Sequence, residues 1–277
     1  MLSEKPWRAE AVLQLCAAQI ACLCLGIAAI GLLHKLGVHG FLRDESFGSI
    51  VVGTLCFQGA TWPLILFFLR QHGVGWRAAF GFRGPKLKRA LLTAFGFIVV
   101  VLPVVLLLQA VSIHTLEKLG WPSDDQAAVK LLTDAKSVWT TIYLGVFAVV
   151  LAPVAEEFIF RGMLFPFFKQ FRSPELVWLV RQCGLPRLAW FIRKRGWRLF
   201  AWFGVSFLFA LIHMNAPTFV PLFVFALALT WLYERTDNLL APITAHALFN
   251  ATNLVLLHYE DQVNQLLEKL NYFLHLT

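Results

Sequence analysis

The sequence predicts an all-α protein: a polytopic transmembrane helical bundle of about seven spans, with six to eight compatible with the pattern. Three observations predict it. The chain is 58% hydrophobic and only 14% charged, where a soluble domain carries about 25% charged residues. Its mean hydropathy is +0.68. Its apolar residues form runs near the ~20 residues that cross a hydrocarbon core, at about 10–33, 47–69, 90–111, 138–168, 199–214, 218–233 and 239–257. Its basic residues collect on alternate connections between those runs. The length of 277 residues suits one transmembrane domain, residues 1–277, better than two soluble ones.

The first run follows MLSEKPWRAE without a small-residue cleavage site, so it reads as a retained first span rather than a removed signal peptide. Four of the five cysteines (Cys16, Cys22, Cys24, Cys56 and, outside the spans, Cys183) lie in apolar runs. They show neither zinc spacing nor a disulfide framework and read as small buried hydrophobes. The third run is preceded by the basic stretch GFRGPKLKRA, residues 81–90. Between the fourth and fifth runs lies a basic interfacial loop, 169–198, carrying Trp178, Trp190 and Trp197 among its cations. Trp and Arg suit the headgroup boundary. The fifth and sixth runs are short.

If the spans alternate, 17 Lys and Arg fall on one side, with the N-terminus and loops 70–89, 169–198 and 234–238; six fall on the other. The positive-inside rule puts the richer side, and the N-terminus, in the cytoplasm. The formal net charge of +8 is then loop charge beside anionic lipid, not a nucleic-acid surface.

The fourth run carries Glu156, Glu157 and Arg161. A charge at the centre of a bilayer helix costs roughly 2.5–3.5 kcal/mol on insertion scales, so such residues face protein or a water-filled cavity and mark a functional site. Glu157 and Arg161, four apart, share a helix face and can pair; Glu156 points about 100° away. Pro153 lacks a backbone N–H, and a bend there can admit water just before Glu156. His213 ends the fifth run, and His246 and Asn250, four apart, share a face of the seventh. From the cytoplasmic ends of their spans, Glu156, His213, His246 and Asn250 lie about 18, 21, 10 and 16 Å deep at 1.5 Å per residue. All four can meet in one slab, as a hydrolytic site requires. A buried Glu–Arg bridge and interhelical hydrogen bonds would equally serve packing alone.

Glu156-Glu157-x-x-x-Arg161-Gly162, Phe209-x-x-x-His213 and His246-x-x-x-Asn250, in this order on these spans, resemble the motifs of the CPBP family of intramembrane proteases, the CAAX-processing and bacteriocin-processing (Abi) group. WLYERTDNLLAPITAHALFN, residues 231–250, resembles the family's run between its last two motifs. The resemblance covers about 138–257, the motif-bearing core. It implies an endopeptidase that cuts near the C-terminus of a membrane protein or lipidated peptide, in an integral membrane protein of the bacterial inner (plasma) membrane. By resemblance, Glu156 is the general base that activates a water, His213 helps hold that water, His246 and Asn250 stabilise the oxyanion, and Glu157 and Arg161 support and orient. The family is often called metalloprotease. The absence of HExxH spacing favours a metal-free site with no cofactor, against a zinc site of His213, His246 and Glu156 or Glu157. The loop 169–198 is longer than the family's usual connection. Two other classes use the same cluster: a transporter with a proton relay, which would show inverted repeats and paired broken helices, and a non-catalytic membrane scaffold.

Overall fold

The computed structural model describes residues 2–37, 47–82, 84–121, 127–133, 135 and 137–259. Arg83 of the basic stretch before the third run, and the C-terminal residues 260–277, lie outside them. No strand occurs among the described residues. Among the described residues, six helices are long and apolar enough to cross a membrane: α1 (Ala9–Lys35), α2 (Gly48–Gln71), α3 (Leu87–Lys118), α4 (Val138–Gln170), α6 (Ala216–Thr236) and α7 (Leu240–His258). The expected fifth span is α5, Trp197–Leu211, whose 15 residues continue a helix that runs unbroken from Pro186 through the basic π-helical turn Ile192–Gly196. It stops because Met214 turns into the left-handed region at φ 50° and Asn215 caps α6 by accepting from the Thr218 N–H at 3.1 Å.

The outer faces are apolar. Val99 and Val100 of α3 are 71% and 69% exposed, and Trp139 of α4 is 80% exposed. Water would not tolerate such a continuous apolar surface; lipid does. The same reasoning corrects the expectation for the cysteines. None is fully buried: Cys16, Cys22 and Cys56 are half-buried, and Cys24 and Cys183 are exposed. A small apolar side chain gains nothing by turning from lipid to protein.

Inside, α6 lies between α3 and α5, and α7 packs on α3. Ala90 and Ala94 of α3 meet Phe225, Leu229 and Leu232 of α6 and Ala241, Ala245 and Phe249 of α7 in one buried cluster. Small side chains let membrane helices approach closely. A larger cluster gathers Trp7, Phe68, Phe80, Phe158, Phe165, Phe209 and Tyr233. The turn before α3 presses on the α6–α7 turn: Leu239 N–H donates to the Phe80 carbonyl at 2.9 Å. Gly81, at φ +76°, has the Asp237 carbonyl where a Cβ would stand, so only glycine fits.

The basic segment 169–198 is largely helical rather than a loop. Ser173 Oγ accepts from the Leu176 N–H at 3.2 Å, starting the helix Pro174–Gln182, and Pro186 starts Pro186–Phe191. Proline at the first helical position loses no bond the helix would have made. Both ends of this hairpin are tied to buried Glu234 of α6: Lys169 Nζ at 2.8 Å, Arg198 at 2.9 Å and the Trp202 indole N–H at 2.9 Å.

Candidate active site

The local shape of α4 comes from two prolines. Ala152–Glu157 is an ordinary α-helical turn and a half, flanked by π-helical turns at Phe147–Leu151 and Phe158–Leu164. Such bulges mark functional sites and bend helices. In the first, the Ala152 N–H bonds the Phe147 carbonyl, five residues back. The Ala148 carbonyl thereby loses its α-helical donor, and the next residue, Pro153, has no N–H to offer. Asn250 supplies the donor: its Nδ2 reaches the Ala148 carbonyl at 2.7 Å. Around Pro153 the helix therefore departs from the α pattern, and that turn is stapled to α7.

Glu157 and Arg161 are both 0% exposed, with Arg161 Nη1 2.7 Å from Glu157 Oε1. The second guanidinium end donates to the Ala226 carbonyl of α6 at 3.1 Å, and its plane lies 4.6 Å over the Phe209 ring. His246 reaches the same carboxylate oxygen, Nδ1 to Glu157 Oε1, at 2.9 Å. With Glu157 ionised beside Arg161, Nδ1 carries the proton and donates, an assignment made from the hydrogen-bond network. The other ring nitrogen, Nε2, faces Glu156 Oε2 at 3.9 Å. The ring itself is boxed by Phe209 at 5.7 Å and Phe225 at 5.6 Å, so it cannot swing away.

Glu156 is the freer carboxylate. Its side chain is 13% exposed, and among the described residues it accepts no hydrogen bond. The two adjacent glutamates thus diverge: one locked in an Arg–Glu–His chain, one open at the far side of the same histidine.

His213 stands at the end of α5. Its backbone N–H turns to Ala210 at 3.3 Å, freeing the Phe209 carbonyl, which the ring Nδ1 meets at 2.7 Å. Nδ1 therefore donates, leaving Nε2 as an acceptor. His213 joins the cluster through the Phe209 ring, 4.9 Å from its own. The structure thus brings Glu156, Glu157, Arg161 and His246 into one contact chain. Asn250 is attached to the same helix α4, and His213 lies one aromatic ring away. Sequence reasoning missed Phe225, whose only signal was its place in an apolar run, and the Ala148 carbonyl, which Pro153 five residues on could have signalled.

Among the described residues, no three His, Cys, Asp or Glu side chains are grouped as a metal requires. Glu157 Oε1 and His246 Nδ1 are already spent on each other and on Arg161. Of the expected ligands Glu157 is thus engaged, while the Nε2 atoms of His213 and His246 and the Glu156 carboxylate carry no hydrogen bond among the described residues.

Residues 138–252 match the family described as type II CAAX prenyl endopeptidase, Rce1-like. The matched stretch runs from the start of α4 through Asn250, so every polar group above falls within it. This region is similar to the Rce1-like family. The match implies a peptidase, and the matched region lies in an integral membrane protein. No curated protein and no solved structure matches the chain.

Proposed function

We propose that this Rce1-like protein is an endopeptidase in which Glu156, without a metal, activates a water to cut a prenylated or otherwise lipidated peptide near its C-terminus. The observation that carries the reading is the division of labour between the glutamates. Glu157 is wholly buried, with Oε1 shared by Arg161 and His246 and Oε2 without a partner among the described residues, whereas Glu156 is partly exposed and 3.9 Å from His246 Nε2. A base must reach the proton it removes, and of the two only Glu156 is open to water.

The residues support a balanced sequence. Glu156 takes a proton from water as the oxygen attacks the scissile carbonyl. His213, with Nδ1 engaged by Phe209, uses its Nε2 lone pair to hold the water's other hydrogen. His246 in its imidazolium form donates from both nitrogens, to Glu157 and to the developing oxyanion, where preorganised donors contribute most. Asn250 has one amide hydrogen on Ala148 and a second for the oxyanion. The C–N bond then breaks, and Glu156 returns its proton to the leaving amine.

The charge pattern supports an orientation with the N-terminus in the cytoplasm and the basic hairpin against anionic lipid, and the family resemblance points to a bacterial inner membrane. The test is an internally quenched farnesylated peptide offered to purified protein. Glu156→Gln keeps the shape and removes the acceptor, so turnover should fall about 10²–10⁴-fold with folded yield unchanged. Full turnover by that variant overturns the assignment. Metal content measured alongside activity decides the other half. Less than stoichiometric zinc in active enzyme supports Glu156 acting alone. One zinc per chain, with activity lost on its removal and regained on its return, decides for a metalloprotease.

A further inference from the structure

We infer that Trp7 is a positioning residue for the peptidase site, holding the Glu157–Arg161 turn in place through the carbonyl of Gly162. The inference rests on the peptidase reading above. In an α-helix the Gly162 carbonyl would accept from residue 166, but residue 166 is a proline and has no N–H. The buried Trp7 indole supplies the donor from across the sequence, Nε1 to the Gly162 carbonyl at 3.0 Å. Gly162 adjoins Arg161, so this bond holds the peptide unit one residue beyond the guanidinium-bearing residue. From there the chain of contacts runs Arg161, Glu157, His246, Glu156. A donor-poor backbone at the second π-helical turn is thus completed by a side chain, as Asn250 completes the first.

Trp7 is itself firmly held. Its ring packs edge-on against Phe68 at 5.0 Å and His72 at 5.4 Å, both on or just beyond the end of α2. The extended residues around it grip the same two elements that carry the site. Lys5 exchanges two hydrogen bonds with the Gln170 side chain at the end of α4, its N–H donating to Oε1 at 2.6 Å and its carbonyl accepting from Nε2 at 2.7 Å. Ser3 Oγ donates to Asp237 at 2.9 Å, in the turn that leads into α7 and His246. Residues 3–7 therefore strap the glutamate-bearing helix to the entrance of the histidine-bearing one.

The test exploits the proline. Trp7→Phe removes the donor and keeps an aromatic ring; Pro166→Ala gives the Gly162 carbonyl a backbone donor of its own. In the full chain, Trp7→Phe should lower kcat on the farnesylated peptide about tenfold, the scale of one lost hydrogen bond amplified by misplacement of reacting groups, with KM unchanged. Adding Pro166→Ala should restore kcat, which a merely structural role for Trp7 would not allow. If Trp7→Phe fails to fold, benzothienylalanine at position 7 removes only the N–H and takes its place. Wild-type kcat in the donor-less variant, or a loss that Pro166→Ala leaves uncorrected in folded protein, overturns the inference. Amide exchange over residues 158–164 is read in parallel. It should rise in Trp7→Phe and fall again in the double variant, even if wild type fails to cleave the peptide. That last outcome would sink the functional reading while still deciding whether Trp7 holds this turn.

Discussion

Arg161 and Glu157 are both wholly buried, and neither can be removed alone without stranding the other. Breaking a buried pair by deleting one partner typically costs about 3–5 kcal/mol, since the remaining charge keeps its desolvation penalty. Arg161 is also tied to the Ala226 carbonyl and to the Phe209 face, so its loss loosens α4 from both α5 and α6. Arg161→Ala should therefore reduce the yield of folded protein and the midpoint of thermal unfolding, along with activity. Arg161→Lys keeps the charge but has one donor group where the fork served Glu157 and Ala226 together. It should fold better than the alanine variant and remain impaired. Equal stability of Arg161→Ala and wild type would show that the pair is not structural. By contrast, Glu156→Gln should leave thermal unfolding unchanged, because among the described residues its carboxylate accepts no hydrogen bond.

The elements differ in how much of them the sequence announces. The long helices are legible because lipid demands a continuous apolar run, and the motif residues stand out because charge in such a run is costly. The Glu157–Arg161 pairing follows from four-residue spacing alone. What is not legible depends on partners distant in sequence. The π-helical turns in α4 persist because Asn250 and Trp7 replace donors that Pro153 and Pro166 lack, and Trp7 is 155 residues from Gly162. His246 bonding Glu157 rather than standing free with Asn250 is likewise a product of packing. The hairpin in 169–198 hides because its helices are short and their apolar residues are interleaved with cations. It carries Arg172, Arg181, Arg187 and the run Arg193-Lys194-Arg195 against a single acid, Glu175, with Trp178 and Trp190 62% and 55% exposed. Each basic residue at an anionic surface contributes about 1 kcal/mol. Replacing Arg193, Lys194 and Arg195 with glutamine should weaken association of acidic lipid with the purified protein. The weakening should be measurable as lost selectivity for phosphatidylglycerol over phosphatidylcholine in co-purified or exchanged lipid. Unchanged selectivity would remove lipid from the hairpin's role.

At the scale of the whole molecule, the site is assembled from α4, α5, α6 and α7, while the segment before α1 and the end of α2 brace it from the side through Trp7, Phe68 and His72. One of those site-forming helices has a shorter apolar stretch than the others. α5 continues N-terminally through the π-helical turn Ile192–Gly196, but that turn carries Arg193, Lys194 and Arg195, and the 15 residues of Trp197–Leu211 rise only about 22 Å, against a hydrocarbon thickness of about 30 Å. Its neighbours have no such deficit, so the shortfall is confined to one flank of the protein. A span shorter than the bilayer is accommodated by thinning the lipid around it, at a cost that grows with the mismatch. His213 sits at the truncated end, so the thinned patch of lipid would lie beside the site itself. There the headgroup layer and its water dip towards the active residues, giving a lipidated chain and its hydrolytic water a common way in. Turnover in vesicles should therefore depend on acyl-chain length, rising in thinner bilayers and falling in thicker ones at constant headgroup. Activity indifferent to bilayer thickness would show that the protein, rather than the membrane, makes up the missing length. The membrane would otherwise act as a deformable wall of the active site, one whose shape is set by how far a single helix falls short.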